Sequence, residues 1–340
     1  MPRLEFIYLR QEDVVAAGVL DMKKAIEDVE KIFEMYARGE VVMPAKTVLD
    51  FKDEEGKFRG LVASMPCYAG GDLEVVGIKW AAEFLDNPAK RNMPFGVDLL
   101  VLSDPESGSP LAIMDGTLVT AVRTSAVTGI AVKHLAVESP RKIGVVGAGV
   151  IGRTTLMALS EVLRDPEEVG VYDIRREKAA KLAEEFADEL PVEVAGSLEE
   201  AVRGRDVVIT ATTSSSRFVR EDWIGPGCLC VQVGINEFSE KVVLKADKVV
   251  VDNWVQIKDY ERSMLSELYR KGLLRDGSVL ELPYIVAGEQ PGRESSEELI
   301  FFDSFGMACE DLVVAYRIYK TALERGLGTR LALWEEPLWK

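Results

Sequence analysis

Three closely spaced glycines near the middle of the chain are the first residues whose pattern indicates chemistry. Gly147, Gly149 and Gly152 follow the apolar run IGVV and precede a segment typical of a helix. In a G-x-G-x-x-G turn the first glycine permits the tight bend, the second lets backbone approach a pyrophosphate, and the third lets helix and strand pack closely. Helix N-terminal amides then bind the phosphates. The pattern predicts a dinucleotide site, and the alternative is a Rossmann-like domain without a dinucleotide.

An acidic residue downstream indicates which dinucleotide is bound. Asp173 ends the strand-like run EEVGVYDI, about twenty residues beyond the last glycine, where a carboxylate accepts both ribose hydroxyls of the adenosine. The same carboxylate repels a 2′-phosphate, which favours NAD. Arg175 and Arg176 follow directly and could accommodate that phosphate, so NADP stays possible.

Two basic residues before the glycine turn suggest how a substrate is handled. Lys79 lies in VGIKWAAEF between Ile78 and Trp80, and desolvation by such neighbours suits an amine to proton transfer near neutral pH. Arg123 lies early in a helical stretch and suits bidentate binding of a carboxylate or a phosphate. The alternatives are a lysine that points outward from a half-exposed strand and an arginine on a helix surface.

Residue counts narrow the remaining chemistry. His134 is the only histidine of the chain, so a histidine-based triad or a histidine-rich metal site is excluded. Cys228 and Cys230 form a C-x-C inside an apolar run, with no second pair, and we interpret them as buried small hydrophobic residues. We therefore predict no metal site.

The overall charge excludes two classes of partner. Lysine and arginine number 41 against 57 aspartates and glutamates, a formal net charge of −16 that repels nucleic acid and anionic membrane surfaces. No apolar run reaches the ~18 residues that span a bilayer. The opening MPRLEFIYLRQEDVV lacks a secretory pattern, and four scattered cysteines suit a reducing compartment. We predict a cytoplasmic protein that acts on a small molecule.

The order of the segments predicts two architectures in one chain. Residues 21–38 have helical periodicity, and the strand-like runs KTVLDF, GLVASMPCYAG, EVVGIKWAAEF and DLLVLSD follow. From residue 142 strands and helices alternate, which predicts a parallel sheet. A last helix lies in GMACEDLVVAYRIYKTALERGLG. The predicted fold class is α/β: a Rossmann doubly wound parallel sheet plus a β-rich α+β domain.

Four stretches together resemble the ornithine cyclodeaminase/μ-crystallin family. They are MPCYAGGDLEVVGIKW, SDPESGSPLAIMDGTLVTAVRTSAVTG, VVGAGVIGRTTLMAL and FFDSFGMACEDLVVA, in this order along nearly the whole chain. The resemblance implies a substrate-binding and dimerisation domain at residues 1–125, completed by 307–340, and a Rossmann domain at 126–306. It also implies a homodimer and an NAD(H)-dependent oxidoreductase that acts on the C–N bond of an α-amino acid or its imine.

The matching motifs carry site residues over to this chain. Lys79 falls on the family's catalytic lysine, Arg123 on a substrate-carboxylate arginine, and Thr124 beside the cofactor phosphates. Lys46 falls where many members have an arginine that binds the same carboxylate; a lysine gives a point charge in place of a fork. The predicted cofactor-binding set further contains the residues around the strand ends: Gly147, Gly149, Val150, Ile151, Gly152, Asp173, Ile174, Arg175, Ala211, Thr213, Val233 and Gly234.

One departure from the family pattern bears on the reaction. Ornithine cyclodeaminases carry an aspartate shortly after the glycine matching Gly234, whereas this chain has Asn236. The resemblance places Asn236 near the nicotinamide and the substrate as a catalytic residue beside Lys79, although an amide can orient a group but cannot take a proton. Glu237 could substitute only if the loop register shifts. Two alternatives stay open beside the oxidoreductase: an ornithine cyclodeaminase that gives proline and ammonia, and a non-catalytic NAD(P)H-binding protein like some μ-crystallin relatives.

Overall fold

The computed structural model describes residues 3–214 and 216–339. The chain divides into two compact units. The first comprises the chain up to Arg123 together with the segment from Met307 onward, and the second comprises Thr124–Gly306. The roles that the sequence assigns to these two parts stay predictions at this point.

The first unit is built around a mainly antiparallel sheet. In chain order it contains β1 (Leu4–Leu9), α1 (Gln11–Ala16), α2 (Met22–Ala37), β2 (Val41–Val42), β3 (Thr47–Lys52), β4 (Phe58–Ala69), β5 (Val75–Phe84), a π-helical turn (Asn87–Arg91), β6 (Gly96–Ser103), β7 (Pro110–Asp115) and the start of α3 (Thr117–Leu135). The strand order is β1-β7-β6-β5-β4-β2, with β3 also paired to β4. The pair β1–β7 is parallel and the others are antiparallel.

The second unit follows as alternating strands and helices. It contains β8 (Lys142–Val146), α4 (Val150–Val162), β9 (Glu168–Tyr172), α5 (Arg176–Glu185), β10 (Val192–Val194), α6 (Leu198–Val202), β11 (Val207–Thr210), β12 (Leu229–Gln232), α7 (Glu240–Lys245), β13 (Lys248–Val251), α8 (Trp254–Lys258), α9 (Met264–Arg270), β14 (Val279–Glu281), α10 (Leu282–Val286) and β15 (Ile300–Asp303). The sheet order is β10-β9-β8-β11-β12-β15-β13-β14 and every pair is parallel. This is the predicted doubly wound topology, whose order reverses between β8 and β11.

The chain then returns to the first unit. It adds α11 (Ala308–Arg325), which packs against α2, β4 and β5, and β16 (Thr329–Trp334), which pairs antiparallel with β1. The predicted helix at residues 21–38 is α2; Asp21 caps it by accepting a hydrogen bond from the Lys24 amide at 3.2 Å. Within the described residues, no helix is both long enough and apolar enough to cross a membrane.

The alternation of side chains along β5 decides which face carries chemistry. Val75, Gly77, Lys79 and Ala81 are buried, whereas Ile78 and Trp80 are exposed. The two large apolar neighbours of Lys79 therefore lie on the opposite face of the sheet from the lysine, because successive strand residues point to opposite faces. The lysine points into the unit and packs under α11.

Candidate functional site

Lys79 is a buried cation held by an acid. Its side chain is 3% exposed, and its Nζ lies 2.8 Å from Oδ2 of Asp311. Nζ also donates to the hydroxyl of Thr120 at 3.4 Å. Lys79 thus points inward, against the alternative of an outward-pointing lysine. The burial expected from the apolar strand comes with an ion pair that the sequence pattern did not reveal.

Arg123 on α3 shares the same acid and binds a second one. Its Nη1 lies 2.7 Å from Oε2 of Glu310 and its Nε lies 3.0 Å from Oδ1 of Asp311. Burial alone would lower the pKa of Arg123, but the carboxylates of Asp311 and Glu310 raise it overall. Burial would likewise raise the pKa of Asp311, and the charges of Arg123 and Lys79 hold it below its usual value. Arg123 and Asp311 are therefore both charged at neutral pH.

Both acids lie in the first turn of α11. Their side chains have no exposed surface, and the positive end of the helix dipole favours negative charge at this position. Sequence reasoning missed Glu310 and Asp311 as site residues. The available signal was the pair of acids in MACEDLVV, at positions that a helix buried on its apolar face would turn inward.

Further acids line the same inner face of the sheet. Glu83, two inward positions beyond Lys79 on β5, is half-buried, and burial together with the charge of Asp98 raises its pKa. The charges of Lys46, Lys79 and Arg123 act in the opposite direction on Glu83. The fold thus brings the three predicted substrate-binding cations within electrostatic range of one carboxyl group.

The glycine turn lies at the switch point of the parallel sheet, between β8 and α4. Gly147 has φ +110° and Gly149 is the residue before the helix, whose first residues are Val150 and Ile151. A Cβ on Gly152 would lie 2.0 Å from the carbonyl oxygen of Gly147, so only glycine lets helix and strand approach this closely. At Gly149 no described atom lies within 4 Å of an added Cβ.

Asp173 is fixed against the glycine turn. Its Oδ2 accepts a hydrogen bond from the amide of Ala148 at 2.9 Å, and its Oδ1 accepts one from the amide of Arg175 at 2.9 Å. The next residue, Ile174, is 89% exposed, and the Arg175 side chain is exposed as well. The predicted adenosine-binding residues therefore gather at the ends of β8 and β9.

A buried carboxylate that the sequence did not assign links the loops after β11 and β12. Glu237 accepts hydrogen bonds from the Thr212 amide at 2.8 Å, the Thr212 hydroxyl at 2.5 Å and the Gly234 amide at 3.0 Å. Burial raises its pKa, and these hydrogen bonds oppose that rise. Glu237 thus bonds to Gly234 itself and to Thr212, and the residues next to these two in the chain are the other predicted cofactor residues of this region: Ala211, Thr213 and Val233. Of these, Thr213 is exposed.

Asn236 is placed differently from the expectation of a group presented to the substrate. Its Nδ2 donates to the carbonyl of Arg262 at 2.7 Å, and its Oδ1 accepts from the amide of Met264 at 2.7 Å. The residue has φ +63°, a left-handed conformation that asparagine tolerates better than most residues. Both ends of the amide therefore join its loop to the start of α9. Thr124, the remaining predicted cofactor residue, is buried on α3, where its carbonyl accepts from the Thr128 hydroxyl.

Comparison with known proteins decides the family. The family model described as ornithine cyclodeaminase/mu-crystallin matches residues 8–326. The chain belongs to this family. The predicted family is thus confirmed, and the match includes both the buried ion cluster and the glycine turn.

Three members of the ornithine cyclodeaminase/μ-crystallin family illustrate the similarity. The N-((2S)-2-amino-2-carboxyethyl)-L-glutamate dehydrogenase of Staphylococcus aureus is 33% identical over 97% of this chain and 99% of its own. The solved Δ1-pyrroline-2-carboxylate reductase of Thermococcus litoralis, in complex with NADH and L-proline, is 34% identical with a TM-score of 0.87 over 95% and 99% of the two chains. An archaeal alanine dehydrogenase dimer with bound NAD is 33% identical, with a TM-score of 0.87 over 97% and 100%.

These names agree with the predicted class of activity. The relatives are dehydrogenases of amino acids and a reductase of a cyclic imino acid. The prediction of an oxidoreductase of amino acids or imines is confirmed at the level of this class. The solved structures also confirm the predicted Rossmann fold with an additional antiparallel domain.

Replacing Asp311 with asparagine tests the ion cluster. We expect Asp311→Asn to lower the free energy of unfolding by about 3–5 kcal/mol at neutral pH, because it leaves Lys79 and Arg123 buried with one carboxylate fewer. The loss should shrink as the pH falls through the folded pKa of Asp311, since a group whose pKa is lowered on folding stabilises only above it. Denaturant unfolding at several pH values measures both effects.

The matched control for this variant is Asp28→Asn. Asp28 on α2 pairs with Arg317 of α11, the helix that also carries Asp311, but both side chains are partly exposed. A smaller loss of stability is expected there. Equal losses in the two variants would contradict the special burial of the Asp311 cluster.

The glycine turn makes a second prediction. Gly152→Ala should lower the free energy of unfolding by about 1–3 kcal/mol, because the new methyl group collides with the Gly147 carbonyl. Gly149→Ala is the control, since its φ of −87° suits any residue and its surroundings are open. Thermal unfolding of both variants measures the difference, and an unchanged Gly152→Ala would show that helix and strand are not packed this closely.

Proposed function

We propose that this protein is an NAD(H)-dependent oxidoreductase that acts on the C–N bond of an α-amino acid or its imine. The observation that carries the proposal is the buried Lys79–Asp311–Arg123 cluster in a chain that also builds a complete glycine turn. The cluster places a proton donor beside a guanidinium that can bind a carboxylate. Because the cofactor supplies the hydride, a proton donor and a substrate-binding group are what the protein itself has to contribute to amino-acid oxidoreduction. The activities of the relatives support the same reading.

The roles of the substrate-binding residues follow from their contacts. Asp311 and Glu310 bond to Nε and Nη1 of Arg123, so we assign the substrate carboxylate to Nη2, with Lys46 adding a second positive charge. Lys79 gives a proton to the imine nitrogen in reduction and takes one from the amine in oxidation. Asp311 positions both cations, because its two oxygens bind one each.

The second unit fits NAD. Gly149 leaves open space at the start of α4 for a pyrophosphate, and the fixed carboxylate of Asp173 is available to a ribose diol. Bound NAD would supply or accept the hydride at the substrate carbon. We propose that Glu237 and Asn236 hold the loops after β11 and β12 in the shape that the cofactor needs, without taking part in the chemistry.

The same observations weigh against the two alternatives. Cyclisation of ornithine needs a group that assists attack by the side-chain amine, and the amide of Asn236 is already bonded at both ends. A non-catalytic nucleotide-binding protein would have no use for a buried ammonium group held next to a buried guanidinium, since each burial carries a large desolvation cost.

We also propose that the protein is a homodimer formed through the outer face of the first unit's sheet. Exposed apolar side chains lie on this face on β5 and its neighbour β6, and on β3, which β4 separates from β5: Leu49, Phe51, Ile78, Trp80, Val97 and Leu99. A contiguous apolar patch is typical of a self-association surface. The alanine dehydrogenase relative, described as a dimer, supports this assignment.

A reducing compartment, the cytoplasm, is the environment that we propose for this protein. All four cysteines are buried and free. Burial, assisted by the negative charge of Asp311, raises the pKa of the Cys67 thiol to about 12, so that this thiol stays protonated and unreactive. Thiols of this kind need no oxidative pairing to stabilise the fold.

The activity is tested by following NADH consumption with a grid of 2-oxo acids and cyclic imines against ammonia, alkylamines and amino acids. Turnover of at least one combination is expected, and Lys79→Met should reduce kcat by at least about 100-fold while NADH binding, measured by calorimetry, is retained. Lys248→Met is the control, because Lys248 is likewise a lysine held in ion pairs, with Glu294 and Glu298, but it lies in the second unit. NADH binding without turnover across the grid would favour the non-catalytic alternative, and proline formed from ornithine would favour the cyclodeaminase.

The dimer is tested by placing a charge on the apolar face. Trp80→Glu should convert the dimer to a monomer in analytical ultracentrifugation, because an unpaired carboxylate would then be buried in the interface. Leu244→Glu changes an exposed apolar residue of the second unit and should leave the mass unchanged. A wild-type monomer, or a Trp80→Glu dimer, would contradict the proposed surface.

A further inference from the structure

An acid occupies a core-facing position beside Lys79. Along β6 the buried side of the strand carries Asp98, Leu100 and Leu102, so Asp98 stands where the alternation calls for an apolar residue. Asp98 pairs with Ala81 across β5 and β6 and is therefore a diagonal neighbour of both Lys79 and Glu83 on the same face. Neither the proposed substrate contacts nor the dinucleotide site uses this carboxyl group.

A hydroxyl connects Asp98 to the lysine. Oδ2 of Asp98 lies 2.6 Å from Oγ1 of Thr120, and Nζ of Lys79 donates to the same oxygen at 3.4 Å. A threonine hydroxyl has one hydrogen to donate and can accept at the same time. The shortest of these distances is that from Thr120 to Asp98, so the hydroxyl donates to Asp98 and accepts from Lys79. Oδ1 of Asp311 lies 3.3 Å from the same hydroxyl oxygen.

The groups around Asp98 come from three elements. Lys79 and Glu83 face it from β5 and Asp311 from α11, while α3 contributes the hydroxyl of Thr120. Burial raises the pKa of Asp98 above its ordinary value, and the charge of Lys79 and the hydrogen bond from Thr120 oppose this rise. A carboxyl group in this setting can hold a proton more readily than an exposed aspartate.

We propose that Asp98 returns a proton to Lys79 through Thr120 after each reduction, and accepts one by the same route in oxidation. This inference rests on the proposed function. In reduction one N–H bond of Lys79 breaks as the substrate nitrogen gains its proton. The Thr120 hydroxyl then rotates toward the neutral lysine, which takes its proton, while the Thr120 oxygen takes the carboxyl proton of Asp98 and solvent reprotonates Asp98. One proton moves in each step, and no oxidant or reductant is needed beyond the hydride exchange itself.

Asp98 does not touch the substrate and acts on Lys79 through Thr120, so it is a positioning residue. The first test therefore changes Thr120. Thr120→Val removes the hydroxyl with little change of shape and should lower kcat by about tenfold or more, with KM for the substrate little changed. The conservative variant Thr120→Ser restores the hydroxyl and should recover most of this loss. Thr128→Val is the control on the same helix, because its buried hydroxyl donates to the Thr124 carbonyl and plays no part in the relay.

Asp98→Asn keeps an oxygen that accepts from Thr120 but cannot carry the proton. It should show the same fall in kcat as Thr120→Val and lose one ionisation from the pH profile of kcat. A role confined to stability would lower the melting temperature and leave the shape of that profile unchanged. If Asp98→Asn does not fold, the comparison of Thr120→Val with Thr120→Ser still decides the question.

A readout without substrate separates this inference from the proposed function. Hydrogen exchange of the Lys79 ammonium protons, followed by NMR of 15N-lysine-labelled protein, should be slower in Thr120→Val than in Thr120→Ser by about tenfold. If the wild type turns over no substrate but this difference is present, the proposed reaction fails, while proton exchange of Lys79 through the Thr120 hydroxyl is supported. Equal exchange rates in the two variants, or equal kcat values, would overturn the relay even in an active enzyme.

Discussion

Two carboxylates in the first turn of α11 hold the charged part of this protein together. Glu310 and Asp311 have no exposed surface and bind two buried cations, Lys79 and Arg123, that come from a strand and a helix far away in the sequence. Burying a single charge is costly, and a buried cation that loses its partner destabilises the fold strongly. The position of α11 against β5 is therefore a condition for having a lysine and an arginine inside this unit at all.

The two units solve different physical problems. The first has to keep several charges out of water and does so by pairing them closely at the inner face of a sheet. The second has to bring backbone close to backbone, and it does so by leaving out side chains at Gly147 and Gly152 and by linking two loops through Glu237. Charge pairing suits a site for zwitterionic or imino acids, while close backbone approach suits a dinucleotide phosphate.

The sequence allowed prediction of the parts that follow from local pattern. The glycine turn, Asp173 and the alternation of strands and helices are short-range signals, and each is found at the expected place. The face of Lys79 was not predictable in this way, because apolar residues lie on both sides of β5 and either register would bury some of them.

Contacts between distant segments account for what was missed. Glu310, Asp311, Asp98 and Glu237 resemble ordinary surface acids until the fold brings their partners to them. Asn236 shows the converse, since its place after Gly234 suggested a group facing the substrate, while the structure uses its amide to join a loop to α9.

The central claim is that Lys79, held by Asp311, exchanges a proton with the nitrogen of an amino or imino acid whose carboxylate is bound by Arg123. A crystal structure with NADH and a product amino acid measures this directly. The account predicts Nζ of Lys79 within about 3.2 Å of the substrate nitrogen and the carboxylate on the Arg123 guanidinium. An amino acid bound with its nitrogen out of reach of Lys79 and its carboxylate away from Arg123 would contradict it.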